Sequence, residues 1–208
     1  MELDPCEHRA LWEERYGADP ENWFFGKDPS ALARLTLSYW RMVRGEETAR
    51  VLDLGCGEGR DAVFFAQQGF EVTAVDIAPA GLAKTQRLAR EQGVGLARVE
   101  CCDIRDFDLA QGYDLVFAAN SLSALGEECL PTLRRLRQAT LDGGLNVVRV
   151  RTAEAAPDEE AVRLYRFDRN ELKLEYRGWR LLYYGEDLLW VRHMERLASF
   201  ADVIAQKP

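Results

Sequence analysis

The sequence predicts an α/β fold: a doubly wound, mostly parallel, seven-stranded sheet with an antiparallel edge formed by its C-terminal strands. Between Arg50 and Val150, short apolar runs alternate with amphipathic stretches, a cadence that requires helical crossovers between parallel strands. The first of those runs empties into Gly55-Cys56-Gly57-Glu58-Gly59, a turn rich enough in glycine for the backbone to meet a ligand closely. Beyond Asn170 the β-rich stretches stand too near one another for crossovers, so antiparallel pairing is the economical arrangement. With 208 residues, 47% of them apolar, the chain suits one such domain with a packed core.

Each element has its own signal. The first forty-five residues read as two helices broken at Gly17-Ala18-Asp19-Pro20. The first places Trp12 and Tyr16 on one face, and the second runs from Pro29-Ser30 to about Arg44, with Leu32, Leu35, Tyr39 and Met42 at helical spacing. Val51–Leu54 is the first strand, and the helix after the turn stops at Gly69, a suitable left-handed cap. Phe70–Asp76 is the second strand, and Pro79 is placed to open a helix that ends near Gly93. Ala97–Cys102 and Tyr113–Ala118 are the third and fourth strands, the latter apolar enough to be buried on both faces. A helix with Cys129, Leu133 and Leu136 inward and Arg134, Arg135 and Arg137 outward leads through Asp142-Gly143-Gly144 into a fifth strand, Leu145–Val150. Ala153–Glu160 is polar and reads as an exposed loop. A short helix at Asn170–Tyr176 then precedes β-rich stretches at Trp179–Tyr184, Leu188–His193 and Leu197–Ala205. This amounts to one domain over 1–208: a helical extension or lid at 1–45, a cofactor-binding core at 46–151, and an antiparallel edge and substrate side at 152–208.

Charge and cysteine usage narrow the function. The net charge of −8 argues against nucleic acid or an anionic membrane as partner, since both require a surplus of cations. The five cysteines include no CxxC pair, and the sequence opens on acidic Met1-Glu2-Leu3-Asp4, so a disulfide framework, a metal site and a secretory leader are not expected. The expectation is a cytoplasmic protein acting on a small molecule; nothing in the sequence fixes an oligomeric state.

The chemistry concentrates at strand ends. Asp53 lies inside the first strand, Asp76 ends the second and Asp103 follows the third. A carboxylate at the second strand end can accept hydrogen bonds from both hydroxyls of a ribose, and Asp103 can meet an adenine amino group. A dinucleotide fingerprint would need glycine where Arg60 stands, and the charge of Asp53 opposes a pyrophosphate while suiting a cationic ligand. Both facts disfavour a nicotinamide-dependent oxidoreductase.

Val51 to Arg60, Val72 to Pro79 and Cys102-Asp103 resemble the successive motifs of class I S-adenosylmethionine-dependent methyltransferases, a Rossmann-like superfamily. Within it the chain is similar to the tellurite-resistance methyltransferase (TehB) group, and more distantly to the thiopurine methyltransferases. Trp12-Glu13-Glu14-Arg15-Tyr16, Asn170-Glu171-Leu172, Tyr176-Arg177-Gly178-Trp179, Tyr184-Gly185-Glu186-Asp187 and the closing Phe200–Lys207 carry that likeness over most of the chain. The resemblance implies methyl transfer from S-adenosyl-L-methionine, with S-adenosyl-L-homocysteine as product, to a small acceptor such as a chalcogen oxyanion, a thiol or another soft nucleophile. It also implies that Gly55, Cys56 and Gly57 pass along the methionine part, with Asp53 and Arg60 beside them. Asp76 would hold the ribose, with Ile77 also at the cofactor, Asp103 and Ile104 would frame the adenine, Asn120 would touch the methionine or the acceptor, and Trp12 and Tyr16 would cover the cofactor.

Departures bear on the acceptor. Ala118–Leu125 is smaller and more polar than the tellurite group leads one to expect, which keeps a non-enzymatic binding module as an alternative. No Asn-Pro-Pro-Tyr or Asp-Pro-Pro-Tyr run is present for gripping a base. Arg192-His193 keeps only part of the group's His-Arg region. These two are the candidates for a catalytic or substrate role, and in a strand only one of them reaches the site. His8 is expected to face solvent or act as a local cap partner. Arg149 and Arg151 share a face and are placed either to attract an anionic substrate or, the favoured expectation, at a solvated edge paired with Glu154 or Glu159, and Cys101 and Cys102 are expected as packing residues.

Overall fold

The structure is a computed structural model that describes residues 5–19, 21–153, 164–191 and 195–208. Two helices, α1 (Pro5–Gly17) and α2 (Ala31–Arg44), precede the sheet. The strands and helices then alternate as β1 (Arg50–Leu54), α3 (Arg60–Gln67), β2 (Glu71–Asp76), α4 (Pro79–Glu91), β3 (Arg98–Cys101), β4 (Tyr113–Ala119), α5 (Cys129–Ala139) and β5 (Thr140–Arg151). The short α6 (Glu171–Glu175) leads into β6 (Arg180–Val191) and β7 (Arg196–Gln206). The sheet order is β3-β2-β1-β4-β5-β7-β6, with β1 to β5 parallel and β7 antiparallel to both neighbours. The expected fold class is the one observed.

The sheet is buried on both faces, so alternate residues of each parallel strand enter different cores. Leu52, Leu54, Val116, Ala118, Val148 and Val150 pack with Cys129, Leu133 and Leu136 of α5 and with Tyr176. Val51, Leu115, Phe117 and Val147 pack with Leu32, Leu37 and Trp40 of α2 and with Ala62 and Phe65 of α3. The α2 helix starts where Ser30 Oγ accepts the Ala33 N–H at 3.1 Å, the side-chain cap that replaces a missing intrahelical partner.

Several local expectations are corrected. The buried stripe of α2 is Leu32, Ala33, Thr36, Leu37 and Trp40, whereas Leu35 and Tyr39 are half-buried and Met42 is exposed. Of the three arginines of α5 expected to point outward, only Arg134 is exposed. Arg135 donates to the carbonyls of Arg105 and Phe107, and Arg137 lies over the rings of Tyr176 and Trp179. The fifth strand begins five residues earlier than Leu145, at Thr140, and its register against β4 shifts between Tyr113 and Leu115. Gly144 permits that shift, since a Cβ there would lie 2.6 Å from the Asp114 carbonyl oxygen. The stretches at 179–184 and 188–193 are largely one strand. Gly185, Glu186 and Asp187, which interrupt the apolar pattern, stay in register with Asp202, Ala201 and Phe200 of β7. Most of the expected loop at 153–160 lies outside the described residues. No helix among the described residues is long and apolar enough to cross a membrane.

Arg149 and Arg151 carry alternate positions of β5, and Glu154 and Glu159, their expected partners, lie outside the described residues. Arg149 makes two hydrogen bonds of 2.6 Å to Asp202, its cross-strand partner on β7, and Arg151 lies over the Phe200 ring at 4.8 Å. With side chains only 15% and 14% exposed, the Arg149–Asp202 pair is a geometric weld whose halves need each other. Replacing Asp202 by Ala is expected to cost about 3 kcal/mol by stranding the guanidinium, seen as a lower urea midpoint at unchanged slope. The double change Arg149→Met with Asp202→Leu is expected to recover most of it.

Candidate functional site

The ends of β1, β2 and β4 and the loop after β3 meet at the carboxyl edge of the sheet, where the glycine turn fixes the geometry. Gly55 has φ +76°, and a Cβ on it would fall 2.3 Å from Ser121 Cβ. Gly57 has φ +57°, and a Cβ there would meet the Tyr16 hydroxyl at 2.8 Å. The first three donors of the turn are spent inside the protein. Gly55 N–H and Cys56 N–H both donate to Val75 O, at 2.8 and 3.0 Å, and Gly57 N–H donates to Asp76 Oδ2 at 2.8 Å. The end of β2 thus takes all three of these N–H groups.

Carboxylates line the floor. Asp53 is buried, and its Oδ2 has no hydrogen-bond partner. Burial raises its pKa well above the ordinary carboxylate range, and the neighbouring Asp61 and Asp76 push the same way. Asp61 accepts the Ser30 N–H at 2.7 Å, tying α3 to the start of α2, and burial raises its pKa as well. Asp76 accepts from Gly57 N–H and, through Oδ1, from Ala78 N–H at 2.9 Å. Burial pushes it up to about 6 against the pull of those amides. Asp103 is held by Arg105 through both carboxylate oxygens, at 2.9 and 2.6 Å, and its pKa is lowered although partial burial opposes that.

A cover lies over this floor. Trp12 and Tyr16 stack at 5.3 Å between ring centroids, and Phe25 stands 6.5 Å from Trp12. Helix α1 docks through Glu13, which accepts the Ala80 N–H at the start of α4 at 2.9 Å, a favourable place for a carboxylate. Gly81 makes room for Tyr16, whose Cδ2 would be 2.9 Å from a Cβ there. The segment before α2 is clasped to the turn. Glu58 pairs with Lys84 at 2.8 Å and accepts the Phe25 N–H at 3.2 Å; Lys84 also donates to Asn22 O, and Arg60 donates to Phe25 O at 2.9 Å.

Between floor and cover lies an open cleft. Trp12, Tyr16, Asp53, Gly55, Cys56, Gly57, Arg60, Asp76, Ile77, Asp103, Ile104 and Asn120 all line it. Asn120 takes φ +66°, a left-handed conformation Asn tolerates, and gives its N–H to Arg149 O at 3.0 Å. Arg192 and His193 lie outside the described residues. Among the described residues no group of three or more His, Cys, Asp or Glu is placed to hold a metal ion.

His8 corrects another expectation. It is buried, lines the cleft and accepts the Trp12 indole N–H at 2.9 Å. Its position four residues before Trp12 was the available signal. Phe25 and the Glu58–Lys84 pair were also missed, because contacts across 33 and 26 residues leave no local pattern.

A family model described as "Tellurite resistance protein TehB" matches residues 21–196. Hemagglutinin 1 of Eikenella corrodens is 33% identical over 138 residues, 66% of this chain and 46% of that protein. The probable S-adenosyl-L-methionine-dependent methyltransferase TehB of Haemophilus influenzae Rd is 27% identical over 143 residues, 67% of this chain and 49% of that protein. The chain thus spans about half the length of these curated relatives. The crystal structure of TehB from Haemophilus influenzae shares the fold, with a TM-score of 0.73 at 20% identity, covering 95% of this chain and 67% of that one.

The turn's dependence on glycine is directly measurable. Gly55→Ala is expected to lose about 2–3 kcal/mol in thermal or urea denaturation, from the clash and the positive φ together. Adding Ser121→Gly is expected to restore only the part due to the clash.

Proposed function

This chain belongs to the TehB family, and from that premise we propose that it transfers a methyl group from S-adenosyl-L-methionine to a small-molecule acceptor. The observation that carries the reading is the polarity of the cleft floor. A phosphate-binding turn offers free N–H groups, whereas here the donors of Gly55, Cys56 and Gly57 are consumed and a buried carboxylate oxygen of Asp53 stands without a partner. That arrangement repels a pyrophosphate and suits a ligand with cationic groups, as the sulfonium and ammonium of S-adenosylmethionine are.

The residues fit the cofactor part by part. Asp53 would face the ammonium, and Arg60, with one N–H given to Phe25 O, has donors remaining for the carboxylate. Each oxygen of Asp76 already accepts one backbone N–H and has a second lone pair for a ribose hydroxyl. Ile104 and Asp103 would frame the adenine, and Asn120 and Ser121 would border the reacting end. The bound cofactor supplies an electrophilic methyl group on sulfur, open to in-line displacement. The protein's share is alignment and exclusion of water, worth roughly 7–11 kcal/mol of barrier in favourable cases. Trp12, Tyr16 and Phe25 supply the water-excluding wall. A soft acceptor, such as a chalcogen oxyanion or a thiolate, needs little help from a base at the moment of transfer.

Calorimetric titration is expected to show S-adenosylhomocysteine binding and no NADH binding; absence of the first at millimolar ligand would remove the proposal. Asp76→Ala is expected to weaken that binding at least tenfold, the cost of two hydrogen bonds to a charged acceptor. Because ribose hydroxyls donate to the ionised carboxylate of Asp76, affinity is expected to fall as pH drops below about 6. The slope there approaches roughly tenfold per pH unit, and a pH-independent affinity would detach Asp76 from the ribose. Transfer of labelled methyl to tellurite, selenite, thiols or thiopurines would identify the acceptor class.

A further inference from the structure

We propose that His8 is a positioning residue of the cofactor site: by accepting the hydrogen bond of the Trp12 indole N–H it fixes Trp12 as a wall of the cleft. The inference rests on the reading that this cleft holds a nucleoside. Its basis is geometric. An indole N–H can only donate, so the His8 Nε2 that meets it at 2.9 Å must carry a lone pair. His8 is therefore neutral, with its proton on Nδ1. The bond locks one edge of Trp12, Tyr16 stacks on the ring at 5.3 Å and the Arg15 guanidinium lies 5.0 Å from its centroid. The indole thus has one orientation, and His8, Trp12 and Tyr16 all line the same cleft.

Protonation of His8 removes the lone pair and with it the bond. Burial lowers the pKa of His8; Asp103, on the loop after β3, opposes that shift, while Arg105 on the same loop and Arg15 on α1 reinforce it. The neutral form thus prevails at neutral pH. As pH falls below the ordinary imidazole range, His8 gains a proton and Trp12 is released.

The test compares His8→Phe, which fills the space without an acceptor, with His8→Gln, whose amide oxygen accepts without titrating. S-adenosylhomocysteine affinity is measured at pH 8, where Asp76 is ionised in every variant. His8→Phe is expected to bind about five- to tenfold more weakly than the unmodified chain, and His8→Gln within about twofold of it. Equal affinity for His8→Phe and the unmodified chain overturns the proposal, as does equal weakness of both variants. In the ligand-free protein, the Trp12 indole N–H resonance, assigned by its loss in Trp12→Phe, is expected to shift as pH falls in the unmodified chain and to stay fixed in His8→Gln. A resonance that does not move in the unmodified chain overturns the proposal without reference to any ligand. If the unmodified chain binds no S-adenosylhomocysteine, the cofactor reading fails and this resonance alone decides the role of His8.

Discussion

The hydrogen bonds that bind the glycine turn to the end of β2 set the rest of the site. Val75 O takes two consecutive amides of the turn and Asp76 takes the third. Three donors so engaged hold Gly55 and Gly57 in positive-φ conformations that only glycine adopts without strain. The turn then lies flat enough for Ser121 to close on one side and Tyr16 on the other, at distances that leave no room for a Cβ. A floor built this way is thin, and the N–H groups of Gly55, Cys56 and Gly57 are already engaged. What it presents to a ligand is bare backbone and the carboxylates around it.

Charge is distributed to match. The acids of the floor, Asp53, Asp61 and Asp76, are buried, and burial raises their pKa values, an effect Arg60 offsets in part at Asp53 and Asp61. The Glu58–Lys84 pair is as deeply buried but fully engaged, with the Phe25 amide on one end and the Asn22 carbonyl on the other. Buried pairs add little net stability once desolvation is counted, and their attested use is to fix an arrangement. Here the arrangement fixed is the aromatic segment over the cleft. A partly compensated floor and a fully compensated clasp are therefore two uses of burial in one site: the first leaves an electrostatic demand for a cationic ligand, the second meets its own demand and holds the cover.

Much of this was legible in the sequence for reasons that are local. Strand and helix periods are written within each segment, and carboxylates at successive strand ends follow from knowing where strands stop. The twelve residues expected around the cofactor line one cleft because parallel strands with right-handed crossovers bring their carboxyl ends to one edge. Errors arose where a pattern broke without the structure breaking. Gly185-Glu186-Asp187 looked like a strand end yet stays paired with β7, because ladder hydrogen bonds do not depend on side-chain polarity.

The sequence by itself determined the parallel core, its antiparallel edge, the glycine turn and the acidic character of the site, since each depends on residues close together in the chain. Only the tertiary structure decided which backbone donors were free, that His8 sits under Trp12 inside the cleft, and that Glu58 and Lys84 clasp the segment carrying Phe25. A hydrogen bond is satisfied by whatever folding brings within about 3 Å, and for these groups the partner or the burying wall comes from another part of the chain.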